Sequence, residues 1–260
     1  MEKCLFVYNP FSGKGKIKRN ENKIRKMLEK KYEVDIIPSK YQGHIYEIVT
    51  TVGKNYDLII TSGGDGTLNE TVNALCHLDK KIPLGYIPAG TVNDVAHSLC
   101  IPRSIKGAVK NILNGQIFSH DVLKINNNYG IYVCCTGIFT ETSYATAQNA
   151  KKKIGKSAYV FHGLKKVFST PAVKLKITSQ TEEIEGKYAI MLILNSRYVG
   201  GFRVNKNANL SDGKVDILLI ESDNDMVKLS AINKLAIFFI KGFGKKMIRG
   251  TKHFKFLQIA

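Results

Sequence analysis

Three glycine-bearing segments within the first hundred residues have the composition of anion-binding loops. They are Asn9-Pro10-Phe11-Ser12-Gly13-Lys14-Gly15, Ser62-Gly63-Gly64-Asp65-Gly66-Thr67-Leu68-Asn69-Glu70 and Pro88-Ala89-Gly90-Thr91-Val92-Asn93-Asp94. Glycine admits positive φ and carries no side chain, so backbone N–H groups can approach an anion closely. Thr67 is expected to open a helix, and a helix amino terminus favours phosphate. Asp65 is out of place in an anion cradle unless a cation accompanies the anion. Mg²⁺ riding on a nucleotide phosphate supplies one, held directly or through water. The bland alternative is a tight strand-to-helix turn whose aspartate caps its own helix. Neither G-x-x-x-x-G-K-[ST] nor G-x-G-x-x-G in a strand–helix context is present. Lys14 and Lys16 flank the first loop and suit either phosphate or an exposed helix start.

These loops need a frame, and the surrounding pattern predicts one. Strand-like runs at residues 4–8, 32–37, 57–61 and 84–87 alternate with helical stretches at 17–32, 43–55, 67–77, 93–99 and 105–113. Such alternation predicts a parallel sheet with helices on its faces, and each loop then falls at the carboxyl end of a strand, where open α/β sheets bind ligands. After Asp121 the pattern turns to β. Residues 122–125 and 129–136 read as a hairpin around Asn126-Asn127-Asn128, a lysine-rich helical stretch follows at 144–168, and strand-like runs lie at 173–178, 187–194 and 215–220. Residues 226–248 carry Val227, Ile232, Leu235, Phe238, Phe239 and Phe243 on one broad apolar helical face. The change of pattern divides the chain into an α/β domain at 1–122 and a β-rich domain at 123–260.

The chain of 260 residues carries a net charge of +18. Residues 1–122 hold 17 Lys+Arg against 12 Asp+Glu, and residues 123–260 hold 22 against 9. A field this positive attracts an anionic partner, a membrane surface or nucleic acid, and no nucleic-acid reading motif or aromatic–basic interleaving accompanies it. No apolar run reaches the ~18 residues a spanning helix needs. The first residues enter a strand-like run at once, which predicts no signal peptide and a cytoplasmic protein. Cys4, Cys76, Cys100, Cys134 and Cys135 are odd in number and contain no C-x-x-C pair, so buried thiols are expected rather than a disulfide framework or zinc site.

The loops together resemble the bacterial diacylglycerol kinase-like lipid kinases, relatives of sphingosine kinases and more distantly of NAD kinases and phosphofructokinases. The resemblance rests on N-P-x-S-G at 9–13, G-G-D-G-T-L-N-E at 63–70, G-T-V-N-D at 90–94, D-x-x-K at Asp121 to Lys124 and S-D-G-K at Ser211 to Lys214. It implies a Rossmann-like parallel-sheet domain of the NAD kinase/diacylglycerol kinase type followed by a C-terminal β-sandwich. It implies ATP contacts at Asn9, Pro10, Phe11, Ser12, Gly13, Ser39, Gly63, Gly64, Asp65, Gly66, Thr67, Leu68, Asn69 and Thr91. Asp65, Asp94 and Asp121 match acidic positions of a water-linked Mg²⁺ network. Asn209, Asp212 and Lys214 match a separate metal turn, with a metal-free hairpin turn at Asp212-Gly213 as the alternative. The expected reaction is ATP- and Mg²⁺-dependent phosphorylation of a lipid hydroxyl, with diacylglycerol as the leading acceptor and a sphingoid base or phosphatidylglycerol left open. An NAD kinase-like soluble acceptor and a nucleotide-binding protein with little turnover are the alternatives. The expected partner is an anionic membrane surface, with Lys151, Lys152, Lys153 and Lys156 as contacts or simply a solvated helix face. Homodimerisation is left open. One departure is that the family's C-terminal D-G-E motif, source of its general base, is absent from residues 253–260, so no catalytic residue is assigned.

Overall fold

The computed structural model describes residues 1–137, 172–178, 183–222, 229–242 and 251–257. The chain divides into two compact units, Met1–Tyr132 and Val133–Ala260.

The first unit is built on four parallel strands, β1 (Glu2–Tyr8), β2 (Tyr32–Pro38), β3 (Leu58–Gly63) and β4 (Leu84–Pro88), in the order β2-β1-β3-β4. Strand β3 is buried along its whole length and β1 along its last five residues, as expected of parallel strands covered on both faces. Alternate side chains serve two layers. Cys4, Phe6 and Tyr8 pack with Ile17, Ile24, Leu28, Ala108 and Val109 of one helical layer, and Leu5 and Val7 with Ile45, Ile48, Val49 and Ala74 of the other. The first layer holds α1 (Lys16–Arg19), α2 (Glu21–Leu28) and α6 (Ile105–Asn114). The second holds α3 (His44–Val52) and α4 (Asp65–Leu75), while α5 (Asp94–Ser98) follows β4. Each fully buried Leu or Ile in these layers contributes about 1.5–3 kcal/mol. The sheet register pairs Tyr8 with both Pro38 and Ser62, and Ser62 with Ile87. The four strands therefore end nearly flush, which brings the loops that follow them to one edge.

Two local expectations differ. The helix read at 17–32 is broken: α1 ends where Asn20 adopts φ −110° and ψ 9° and its Nδ2 donates to Lys16 O at 2.9 Å. The side chain has replaced helical hydrogen bonding with a local one. The strand read at 129–136 is also divided, into β6 (Asn128–Gly130), paired with β5 (Leu123–Ile125), and β7 (Val133–Gly137). At the break Ile131 is buried and its N–H is held by Asn69 Oδ1 at 3.1 Å. The β5–β6 hairpin belongs to the first unit, where Asn73 Oδ1 accepts from Tyr129 N at 2.8 Å.

The second unit is antiparallel. Strands β7, β9 (Glu183–Leu194), β10 (Lys214–Glu221) and β11 (Thr251–Leu257) lie in the order β11-β10-β9-β7, and β8 (Val173–Thr178) pairs with the first half of β9. Its core joins Ala189, Ile190, Leu192, Leu194, Leu218 and Ile220 of the sheet to Ala231, Leu235 and Phe238 of α7 (Leu229–Lys241). The lysine-rich stretch at 144–168, with Lys151, Lys152, Lys153 and Lys156, lies outside the described residues, as do Val227 and Phe243. Among the described residues no helix is long and apolar enough to cross a membrane.

Candidate functional site

In the first unit β1 runs beside both β2 and β3, so the chain reverses its winding direction between β1 and β3. Doubly wound sheets bind ligands at the carboxyl ends of the strands flanking such a switch point. Here those ends carry Asn9 to Gly15 and Gly63 to Thr67, and the adjacent β4 carries Pro88 to Asp94.

The loops interlock through their backbones. Asn9 N donates to Ser62 O at 3.0 Å, and Ala89 N and Gly90 N both donate to Gly63 O, at 2.8 and 3.0 Å. A Cβ on Gly90 would lie 2.4 Å from Gly64 Cα, and one on Gly13, where φ is +58°, would lie 2.7 Å from Ala89 O. Gly63 lacks room for another reason: its Cβ would overlap the Thr67 side chain at 2.3 Å. Gly66 stands apart. A Cβ there would meet nothing within 4 Å, and its φ is not positive. Packing therefore requires glycine at 13, 63 and 90 but not at 66, which lies in the first turn of α4. That turn leaves its leading N–H groups without intrahelical acceptors. An anion placed there would meet backbone donors and the positive end of the helix dipole.

The polar residues of the motif do other work. Asp65 Oδ1 accepts from Val95 N at 3.1 Å, so it caps the start of α5 rather than its own helix. Its Oδ2 accepts no hydrogen bond among the described residues. Asn69 holds Ile131 N. Glu70 Oε1 accepts from Ile45 N at 2.9 Å and Tyr46 N at 3.2 Å, capping α3. Leu68 sends its side chain into the core with Val72, Tyr86, Val95 and Ala96. Ser39 is buried after β2, its N–H on Tyr8 O at 2.8 Å, while Phe11 and Thr91 are exposed. Pro10 and Ser12 flank Phe11 within the first loop, and Ser12 N donates to Asn9 O at 3.2 Å.

Sequence reasoning passed over several supporting residues. Tyr86 donates from its phenol to Gly63 O at 3.1 Å. Burial, reinforced by the Asp65 charge, pushes that phenol's pKa up and keeps it a donor. Asn93 adopts φ 59° and clasps Gly90 from both sides, Oδ1 accepting from its N and Nδ2 donating to its O, each at 2.8 Å. An asparagine before a helix-opening aspartate is a signal that could have marked it. Nothing in the sequence marks Tyr132, whose phenol donates to Asp94 Oδ2 at 2.5 Å, or His120, whose Nδ1 lies 2.7 Å from Asp121 O. Burial pushes the His120 pKa down, which favours the neutral ring.

Among the described residues no group of three or more His, Cys, Asp or Glu side chains is placed to hold a metal. An all-protein Mg²⁺ cage is thus not what Asp65, Asp94 and Asp121 form. Mg²⁺ commonly takes one or two carboxylates, with substrate phosphates and waters completing its shell. Asp65, with one oxygen open beside the phosphate-ready turn and fully buried Asp94 nearby in the next loop, fits that arrangement. In the second unit Asn209 Oδ1 accepts from Ser211 N at 3.2 Å and Asp212 Oδ1 from Lys214 N at 3.1 Å, with Gly213 at φ 68°. This turn leads into β10 at the end of the long connection from β9, so it is not a two-residue hairpin. Lys214 can offer a metal only its carbonyl.

Comparison with known proteins agrees with this architecture. The family model described as diacylglycerol kinase catalytic domain matches residues 3–125. A diacylglycerol kinase of Staphylococcus haemolyticus is 34% identical over 240 residues, covering 91% of this chain and 72% of that protein. One of Staphylococcus aureus strain MRSA252 is 33% identical over 238 residues, covering 90% and 75%. The crystal structure of a diacylglycerol kinase from Bacillus anthracis str. Sterne aligns with a TM-score of 0.74 and 26% identity over 98% of this chain and 84% of that one. A second structure from that organism aligns with a TM-score of 0.81 and 28% identity over the same shares. The chain belongs to the diacylglycerol kinase catalytic-domain family and is a kinase.

Proposed function

We propose that this protein transfers the γ-phosphoryl group of ATP to the hydroxyl of diacylglycerol, forming phosphatidic acid, in a Mg²⁺-dependent reaction at an anionic membrane surface. The observation that carries the nucleotide half is Gly66, a glycine that packing does not require, in the first turn of a helix at the sheet's switch point. The names of the relatives support the lipid half, and a net charge of +18 favours approach to anionic headgroups. The protein would be cytoplasmic and peripherally bound.

Phosphoryl transfer asks mainly for positioning and charge neutralisation. The glycine loops supply positioning: their mutual backbone bonds fix the leading N–H groups of α4 before any ligand arrives. Asn9, Ser12, Ser39 and Thr91 add polar groups along the same edge. Asp65 and Asp94 would hold Mg²⁺, which when bound neutralises charge on the phosphoryl oxygens. The Val95 N–H fixes the Asp65 carboxylate, and the Tyr132 phenol fixes that of Asp94.

The test is incubation with γ-labelled ATP, Mg²⁺ and a total lipid extract, with separate NAD and lipid-free arms. Label is expected in phosphatidic acid. Asp65→Asn keeps an acceptor for Val95 N and removes the charge, and it should abolish transfer while leaving the fold intact. Label in NAD but not in lipid, or full transfer by Asp65→Asn, would sink the proposal.

A further inference from the structure

We propose that one flank of the first unit is a membrane-docking surface, where Lys30, Lys31 and Lys110 meet anionic phospholipid headgroups and Ile117 and Phe118 enter the acyl boundary. The inference rests on the reading of the protein as a kinase acting at an anionic membrane, and it names the face that would touch that membrane.

Helices α2 and α6 pack in one layer over the sheet through Ile24, Leu28, Ala108 and Val109. Beside their carboxyl ends lies a depression of about 430 Å³, lined by apolar Met27 and Leu113 together with Lys30, Lys31 and Lys110. Lys31 immediately precedes β2, whose first residue, Tyr32, pairs with Glu2 at the start of β1. The depression therefore lies towards the amino ends of the strands, away from the glycine loops.

Its charge is one-sided. Residues 26–31 and 105–114 contribute Lys26, Lys30, Lys31, Lys106 and Lys110 against Glu29 alone, and Glu29 is already engaged by Arg25 at 3.5 Å. Among the described residues none of the three lysines at the depression forms an ion pair; Lys31 Nζ lies over the Tyr32 ring, 5.3 Å from its centroid. Lysines at a helix end offset the helix dipole. That accounts for Lys30 and Lys31 but not for Lys110, which precedes the last turn of α6.

The chain leaves the depression at Asn114 and continues as Gly115-Gln116-Ile117-Phe118-Ser119, every residue of which is exposed. Ile117 is 83% and Phe118 54% exposed, and among the described residues they are the only two large exposed apolar residues adjacent in sequence. Three residues separate Ile117 from Asn114, at most about 10 Å of chain. Scattered exposed apolar residues are ordinary. Two together beside unpaired lysines give the combination that holds proteins at a bilayer surface, cationic groups for the headgroups and apolar groups for the acyl boundary. Nucleic acid would use the lysines but gain nothing from Ile117, and a second copy docked face to face would set lysines against lysines.

The experiment measures sedimentation with vesicles of phosphatidylcholine alone or mixed with phosphatidylglycerol. It compares the wild type, the triple variant K30Q/K31Q/K110Q, the double variant I117S/F118S, and Phe118→Trp. The wild type should prefer the anionic vesicles and release them as salt rises. A lysine near an anionic surface contributes about fivefold to binding, so the triple variant should bind on the order of 100-fold more weakly. The double variant should lose about tenfold or more and keep its salt dependence. The chain contains no tryptophan, so Phe118→Trp introduces a single fluorophore, whose emission should shift to the blue on anionic vesicles. Turnover of a water-soluble short-chain diacylglycerol should be unchanged in every variant. Full vesicle binding by the triple variant, or no shift from Phe118→Trp, overturns the surface. So does a parallel loss of vesicle binding and soluble turnover, which would report distortion, and so does tighter binding of duplex DNA than of anionic vesicles. The vesicle measurements need no turnover, so a wild type that docks but phosphorylates no diacylglycerol defeats the kinase reading and leaves the surface standing.

Discussion

Replacing Gly66 with alanine separates what the fold needs from what a ligand needs. The residue lies in the first turn of α4, its φ is not positive, and a Cβ would meet nothing within 4 Å. Alanine is favoured over glycine in helices by up to about 1 kcal/mol, and part of that gain comes from restricting the unfolded chain. For a unit of this size the gain corresponds to a rise of about 2–5 °C in Tm. The added methyl projects into the open space that an anion on the helix terminus would occupy. A displacement of about 1 Å there costs on the order of 10²-fold in turnover, and ATP affinity should fall by about tenfold or more, roughly 1.4 kcal/mol. Scanning calorimetry of the unliganded protein reads the first effect and titration with Mg²⁺-ATP the second. A variant that is more stable and weaker in nucleotide binding supports the site. A variant that binds ATP as well as the wild type refutes the reasoning, because nothing would then account for the missing side chain at this position.

Two further outcomes follow from the supporting residues. Glu70→Ala removes the acceptor of two N–H groups at the start of α3, which should lower stability by about 1–2 kcal/mol; Glu70→Gln, which keeps an acceptor, should recover most of it in thermal unfolding, and equal losses in the two variants would count against the cap. Burial pushes the Cys4 thiol up to about 12 and the Cys135 thiol up to about 11, so at pH 8 their thiolate fractions are on the order of 10⁻⁴ and 10⁻³. Because both values are raised, neither thiol should gain reactivity until strongly alkaline pH or unfolding. Mass-spectrometric mapping after brief iodoacetamide treatment should find exposed Cys100 labelled well before either, and equal labelling of Cys4 in the folded protein would contradict its burial.

What could be read from the sequence was what leaves a local trace. The strands of the first unit were visible because each is a nearly continuous apolar run, as in residues 58–60, which are buried on both faces. The loops were visible because glycines cluster at strand ends. The break at Asn20 was not visible, since the apolar spacing of Ile17, Ile24 and Leu28 continues through it and all three remain buried on one face. A side chain turning back onto Lys16 O leaves that spacing unchanged. The interruption at Ile131 and Tyr132 was hidden for a different reason. It is enforced by Asn69, far away in sequence, and no local preference encodes it.

The glycine motif shows how far a short pattern can be taken. From the sequence, every residue from Gly63 to Asn69 invites the same interpretation, contact with a nucleotide. In the folded unit the work is divided. Gly63 makes room for Thr67, and it is the missing side chain of Gly90, in the neighbouring loop, that lets that residue pack against Gly64. Asp65 holds α5, Asn69 holds the chain after β6, and Glu70 holds α3. Most of the motif therefore acts by fixing neighbouring elements to α4, and loss of those side chains would reduce binding only by letting the loops drift. Gly66 and the open oxygen of Asp65 remain as features that the scaffold does not use. A chemical role for the motif should be tested at those two positions first, because at the others a loss of activity cannot be separated from a loss of structure.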